Sequence, residues 1–245
     1  YIGKDNISPK SILLTAKLMK NRGPDNFTVK KITKNKLKIY FLHSRLSIID
    51  LKARSNQPYI YDDKTLIFNG EIYNYIEIRN NLKKIGHKFE TSSDTEVLIK
   101  ALKEYGEKAY DMLEGMWAFA IYDSKKNSMV LSRDRFGEKP LCYKKTKNGI
   151  YFGSEVKFIE QLSNKKEDIN IKKSIHYMRY GYNSVFLNEE TFKQNIFSLE
   201  PSCNLNISKN LTFKKKKYWN LNNFSEKKGL ILKDHIKEIR KILIN

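Results

Sequence analysis

Three short polar clusters carry the side chains best suited to chemistry. The first is His43-Ser44-Arg45-Leu46-Ser47-Ile48-Ile49-Asp50, the second Phe68-Asn69-Gly70-Glu71-Ile72-Tyr73-Asn74, and the third Thr91-Ser92-Ser93-Asp94-Thr95-Glu96. Together they offer a guanidinium, a carboxamide followed by a glycine N–H, and a carboxylate at a helix start. A guanidinium can clamp a carboxylate in bidentate fashion, an aspartate can pair with an ammonium, and an amide beside a glycine N–H can form an oxyanion hole. That set suits a free amino acid bearing a carboxamide. Each piece also has a plainer reading. Arg45 alone reads as a surface or interface ion pair, Asn69-Gly70 alone as a type I′ hairpin turn, and Asp94 alone as a helix cap. Only the combination points to a site.

The elements that must position these clusters can be read from periodicity and breakers. Ser8 and Pro9 open a helix that runs to the breaker Asn21-Arg22-Gly23-Pro24. KLKIYFLHSRLSI (36–48) reads as a strand, LKARSNQP as a loop, and Thr65 to Phe68 as a short strand running into Asn69-Gly70. A helix over Ile76 to Ile85 stops at Gly86. A second starts at Ser93, where Ser93 and Glu96 form a capping-box pattern, and closes at Gly106. EKAYDML is a third, short helix. Strands come next at Met116–Tyr122, Met129–Ser132, Leu141–Lys144 and IYFGS, with helices at Phe158–Leu162 and Ile171–Tyr180. CNLNI and LTFKK form a hairpin. A polar stretch after Trp219 leads to the amphipathic helix LKDHIKEIRKILI. Helix groups alternating with strands on short turns predict antiparallel sheet with helices on its faces.

Composition narrows the classes. With 245 residues, 40% of them hydrophobic, the chain can bury one sizeable core. No run is long and apolar enough to span a bilayer, so no membrane partner is expected. The net charge of +20 is spread along the chain, with Lys214 to Lys217 the one compact run, and nucleic acid is not an expected partner. Cys142 and Cys203 fit neither a disulfide framework nor a metal spacing, and the four histidines form no metal pair. Two reduced thiols suit a cytoplasmic setting, and no metal is expected. RDRFGEKP (133–140) lacks the glycine spacing of a phosphate loop and reads as a structural turn held by internal ion pairs. Arg22 and Asp25 read as bracing a turn.

RGPDN (22–26), HSRLSIIDL (43–51), NQP (56–58), FNGEIYNY (68–75), SSDTEVL (92–98), LEGMWAFAIYD (113–123), RDRFGEKPL (133–141) and FGSEVK (152–157) resemble, in order, the glutamine amidotransferase domain of glutamine-hydrolysing asparagine synthetases. The resemblance implies an α+β fold, a four-layer αββα sandwich of two antiparallel sheets of the N-terminal-nucleophile (Ntn) hydrolase type. It implies a class II amidotransferase domain over 1–218, then a linker and the start of a helix over 219–245. It implies that Arg45 holds the α-carboxylate of L-glutamine, that Leu46, Ser47, Ile48 and Ile49 line the pocket, that Asn69 and Gly70 form the oxyanion hole, and that Glu71 and Asp94 hold the α-ammonium.

Members of that family open Cys-Gly-Ile-x-Gly, and Tyr1-Ile2-Gly3 is similar to the residues just after that opening. The nucleophilic cysteine is therefore expected a few residues upstream of Tyr1, and this polypeptide is expected to bind glutamine better than it hydrolyses it. Neither Cys142 nor Cys203 is expected to replace it. The Ser-Gly-Gly-Leu-Asp-Ser phosphate loop of the family's second domain does not occur here. ATP and magnesium are expected in that domain, into which Leu230 to Ile244 resembles the lead. Implied partners are L-glutamine, the chain's own C-terminal synthetase domain and, as a candidate, a second copy in a homodimer. The expected acceptor is aspartate, with another carboxylate such as a polysaccharide sugar acid as the alternative. A non-catalytic glutamine-binding paralogue and a basic nucleic-acid-binding module are the competing classes.

Overall fold

The computed structural model describes residues 1–182, 185, 188–223 and 231–244. The first half of the chain forms β1 (Ile2–Gly3), α1 (Pro9–Met19), β2 (Asn26–Lys34), β3 (Leu37–Arg45), β4 (Tyr59–Tyr61), β5 (Lys64–Ile72), α2 (Tyr75–Lys84), α3 (Asp94–Tyr105) and α4 (Ala109–Met112). The second half forms β6 (Gly115–Asp123), β7 (Ser128–Arg133), β8 (Cys142–Thr146), β9 (Gly149–Gly153), α5 (Val156–Ser163) and α6 (Ile171–Tyr180). It ends with β10 (Phe197–Ser198), β11 (Cys203–Ile207), β12 (Phe213–Lys217) and α7 (Leu232–Ile244). Residues 224–230 of the polar stretch after Trp219, Leu230 included, lie outside the described residues.

The strands make two six-stranded sheets, in the orders β10-β8-β9-β1-β3-β2 and β12-β11-β7-β6-β5-β4. Their pairings are antiparallel. Period-two alternation along the strands sorts the side chains into layers. On β6, Ala118, Ala120 and Tyr122 meet Ile2, Ile39 and Phe41 of the other sheet in a core between the sheets. Trp117, Phe119 and Ile121 point the other way, onto Ile78 and Leu82 of α2 and Val97 and Leu98 of α3. Tyr1 and Tyr40 leave the opposite sheet to pack on Ile159 and Leu162 of α5. Burying each such large side chain contributes roughly 1.5–3 kcal/mol. The result is the four-layer αββα sandwich that the resemblance implied.

Local chemistry sets the helix ends. Ser8 Oγ accepts from Ser11 N at 3.0 Å, with Pro9 in the first turn of α1. Ser93 Oγ accepts from Thr95 N at 3.0 Å, and Gly106 ends α3 with φ 56°. The capping box is not formed. Glu96 turns instead to the preceding loop, accepting from Thr91 N at 2.7 Å, Glu90 N at 3.0 Å and Lys100 Nζ at 2.6 Å. A buried lysine four residues along the helix outcompetes the cap.

Several boundaries differ from expectation. The strand expected over 36–48 ends at Arg45, β2 and β4 were not anticipated, and β5 runs on through Asn69 and Gly70 to Ile72. Asn69 stands opposite Ala118 and Gly70 opposite Trp117, so this pair is sheet and not a hairpin turn. A Cβ on Gly70 would lie 2.1 Å from the Met116 carbonyl oxygen. The glycine is there because β6 passes too close for a side chain.

The RDRFGEKP turn is held by side-chain bonds to the backbone in place of the expected ion pairs. Asp134 is buried and accepts from the backbone N–H groups of Trp117, Phe136, Glu138 and Lys139 at 2.9–3.2 Å. Arg133 donates to the carbonyls of Gly137, Lys139 and Leu199. Arg22 and Asp25 do brace neighbouring segments, through Glu155 at 3.0 Å and Ser47 N at 2.7 Å. Among the described residues, no helix is long and apolar enough to cross a membrane.

Candidate active site

The inter-sheet layer changes character toward one end. On β3, Leu37, Ile39 and Phe41 belong to the core between the sheets, and the same alternation carries the face on to His43 and Arg45. On β5, Ile67 packs against that core, and Asn69 and Glu71 continue its face. The small side chains of Ala118 and Ala120 on β6 leave room beneath them. A cavity of about 370 Å³ opens there, at the small end of the range for small-molecule sites.

The cavity has two arms. Its polar wall is made by Arg45 and His43 from β3, Asn69, Gly70 and Glu71 from β5, and Asp94 from the start of α3. Leu46, Ile48 and Ile49 border it from the loop after β3. Its apolar arm runs beneath α1 and α5, past Thr15, Met19, Leu42, Phe158 and Leu162, to Tyr1. Every anticipated site residue except Ser47 lines this one space. Ser47 is outside it, and its N–H is held by Asp25.

Arg45 is buried, and its Nη atoms point at the loop after it. Nη1 donates to Lys52 O at 3.0 Å and Asn56 Oδ1 at 2.8 Å. Nη2 donates to Asp50 O and, at 3.4 Å, to Ile49 O. The arginine thus folds the 46–56 loop against the cavity. The longest of these bonds is that to Ile49 O.

Asp94 Oδ2 accepts from Ile72 N at 3.2 Å. Burial pushes its carboxyl up to about 6, against the lowering effect of that bond and of Thr95 N. A helix N-terminus favours the charged form, and desolvation wins over it. The group is thus poised to gain from an incoming cation. Burial also pushes the His43 imidazole down to about 4, helped by the Arg45 cation, so His43 is neutral near pH 7. Asn69 Nδ2 donates to Ser154 Oγ at 3.5 Å. That contact leaves the amide nitrogen on the Ser154 side of the cavity.

Two contributors were not assigned roles from sequence, although both fall inside quoted motifs. Gln57, in NQP, accepts from Phe68 N at 2.6 Å and donates to Thr95 Oγ1 at 3.4 Å, tying β5 to the start of α3. Ser154, in FGSEVK, reaches Asn69 from the end of β9. Their signal was motif membership alone. The two cysteines lie elsewhere, buried in β8 and β11 and absent from the cavity wall. Burial pushes both thiols up to about 11, opposite to what a nucleophile needs. Among the described residues, no three His, Cys, Asp or Glu side chains cluster as metal ligands.

Two face-to-face antiparallel sheets sheathed by helices, with the cavity between the sheets, are the arrangement expected of the Ntn-hydrolase fold. Residues 2–219 match the family described as the glutamine amidotransferase domain, and the chain belongs to that family. It is 40% identical over 145 residues to asparagine synthetase [glutamine-hydrolyzing] 3 of Bacillus subtilis, covering 58% of this chain and 23% of that protein. It is 34% identical over 238 residues to a putative asparagine synthetase [glutamine-hydrolyzing] 2 of Methanocaldococcus jannaschii, covering 88% of this chain and 45% of that one. The chain therefore spans less than half the length of these relatives. Among solved structures, an allosteric regulatory enzyme of purine biosynthesis superposes with a TM-score of 0.55 at 21% identity, over 78% of this chain and 37% of that one. Glutamine phosphoribosylpyrophosphate amidotransferase from B. subtilis superposes with 0.53 at 22%, over 76% and 36%. Both share the fold.

Proposed function

We propose that this chain is the glutaminase part of a glutamine-dependent asparagine synthetase, splitting L-glutamine into glutamate and ammonia for ATP-dependent amidation of aspartate. The observation that carries this is the convergence of Arg45, Asn69-Gly70 and Asp94 on one cavity. Arg45 receives the α-carboxylate, Asp94 with Glu71 the α-ammonium, and the side-chain carboxamide reaches Asn69 and Gly70. The Asn69 amide and the Gly70 N–H then stabilise the oxyanion that forms when a thiolate attacks the carboxamide carbon. Ammonia leaves, and water releases glutamate from the thioester.

The thiolate is assigned to a cysteine preceding Tyr1. The strand register supports the assignment. Tyr1 and Tyr40 exchange backbone bonds at 2.9 Å. A residue preceding Tyr1 in the same register would stand opposite Phe41, and further ones would run along β3 toward His43 and Arg45. Residues 1–218 are assigned to the amidotransferase domain and 219–245 to the lead into a synthetase domain, where ATP and magnesium would act. Leu232, Ile236, Ile239 and Leu243 recur at helical spacing on α7 and are all exposed, which suits a helix that packs on further chain. The cytoplasm is the proposed setting.

The test is separation of two activities in the full-length protein. Arg45→Ala is expected to abolish glutamine-dependent synthesis while sparing ammonia-dependent synthesis, and Asn69→Ala to lower glutamine turnover by roughly a hundredfold. Equal loss of both activities in Arg45→Ala contradicts the carboxylate role, and an unchanged rate in Asn69→Ala removes it from the oxyanion hole.

A further inference from the structure

Asp50 belongs to the first polar cluster, yet it does not line the cavity and the proposed chemistry gives it nothing to do. Its surroundings are unusual for a loop residue. The backbone is left-handed, with φ 52°, a conformation that Asp, Asn and Gly adopt most readily. Its side chain is only 3% exposed. The backbone carbonyl accepts from Arg45 Nη2. The carboxylate reaches across to the third cluster, where Oδ2 accepts from Ser92 N at 2.7 Å. Oδ1 accepts from Lys52 N at 3.2 Å, and Arg54 closes an ion pair on Oδ2 at 3.1 Å.

Ser92 sits two residues before Asp94, in a turn that is otherwise tied down. Arg79 donates to Thr91 O at 2.6 Å and to Ser93 O at 3.0 Å, and Thr91 Oγ1 accepts from Ser93 N at 3.2 Å. Glu96 holds Thr91 from the helix side. The Asp94 turn is therefore one rigid piece and the Arg45 loop another. Asp50 joins them, its carbonyl on the guanidinium and its carboxylate on the turn.

We propose that Asp50 is a positioning residue that sets the separation between the carboxylate-binding pole at Arg45 and the ammonium-binding pole at Asp94. The left-handed backbone aims the carbonyl one way and the side chain the other, so one residue spans the gap between the poles. A brace of this kind matters for a ligand held at both ends and much less for a ligand held at one. The proposal rests on the reading of the site as an amino-acid pocket, and the test separates the two.

Binding to this chain is measured by NMR titration, which reads weak ligands, with L-glutamine and with 4-carbamoylbutanoate, the same molecule without the α-amine. Asp50→Gly keeps the left-handed backbone and the carbonyl while deleting the carboxylate. It is expected to weaken L-glutamine by about tenfold, the scale of one lost charge-assisted hydrogen bond, and to change 4-carbamoylbutanoate by less than about twofold. Asp50→Asn, which tolerates the same backbone and keeps one acceptor oxygen, is expected to recover most of the L-glutamine affinity. If the glycine variant does not fold, Asp50→Ser, whose hydroxyl is too short to reach Ser92 N, carries the comparison between the two ligands with the same expected losses. In the glycine or serine variant, unchanged L-glutamine binding, or equal losses for both ligands, overturns the brace. Failure of the unsubstituted chain to bind L-glutamine overturns the site reading instead.

Discussion

Asp94→Asn should make the protein more stable and less able to bind its ligand. The folded chain raises the Asp94 carboxyl from 3.8 to about 6, with burial the main cause. The native state therefore keeps this proton to about pH 6 while the unfolded chain releases it near 3.8. Between those values the native state binds more protons than the unfolded state, so stability falls as pH rises through that window and stays lower above it. A shift of about two pH units corresponds to about 3 kcal/mol at neutral pH. Asparagine keeps an oxygen for Ile72 N and carries no charge to desolvate. Urea denaturation near neutral pH should therefore show the variant more stable by about 2–3 kcal/mol, and thermal melting a rise of roughly 5–10 °C for a chain of this size. At about pH 4, where the wild-type carboxyl is protonated in the native state, most of that gain should vanish. Equal stability near neutrality, or a gain that persists undiminished in acid, would mean that burial does not hold a proton on Asp94. The same variant should lose most of its affinity for L-glutamine, because the amide cannot pair with the ammonium. Retained affinity would remove Asp94 from that role.

Four further expectations rest on particular contacts. Affinity for L-glutamine should fall as pH drops below about 6, where Asp94 takes up its proton; a flat titration profile through that range contradicts the ammonium role. Gly70→Ala sets a Cβ 2.1 Å from Met116 O and 2.8 Å from Trp117 Cα, so β5 must part from β6, and urea denaturation should show a loss on the order of 3 kcal/mol or more. Lys100→Met leaves the Glu96 carboxylate, buried with it, without its 2.6 Å partner; a loss of about 3 kcal/mol is expected in the same assay, and a neutral result would mean that the Glu90 and Thr91 donors satisfy Glu96 without it. Cys142 and Cys203, buried and raised to about 11, should resist iodoacetamide in the native chain and react after denaturation, as followed by mass spectrometry; fast native labelling of either would reopen its candidacy as a nucleophile.

Much of this was legible in sequence because the determinants are local. Ser8-Pro9, Ser93 and Gly106 act within a turn of the residues they cap, and the alternation of WAFAIY reports two apolar faces directly. β2 escapes the sequence because NFTVKKITK lies at a sheet edge and no residue in it is fully buried. Its alternation is of lysines and threonines as much as of apolar side chains. Asn69-Gly70 has the composition of a hairpin turn, and only its pairing with Ala118 and Trp117 shows why a glycine is required. Ser93 and Glu96 have capping-box spacing, but Lys100 and the 90–91 backbone compete for the carboxylate, and that competition is tertiary. In the candidate site the residue types were readable and their joints were not. The bonds from Asp50 to Ser92 and from Asn69 to Ser154 cross long stretches of chain, and no spacing rule connects these pairs or Gln57 with Phe68.

The most direct measurement is a crystal structure of the chain with L-glutamine. The amino acid is expected in the mouth between the sheets, its α-carboxylate against Arg45, its ammonium against Asp94 and its carboxamide oxygen within hydrogen-bond reach of Asn69 Nδ2 and Gly70 N. Glutamine bound elsewhere, or reversed so that its carboxamide faces Arg45, contradicts this arrangement.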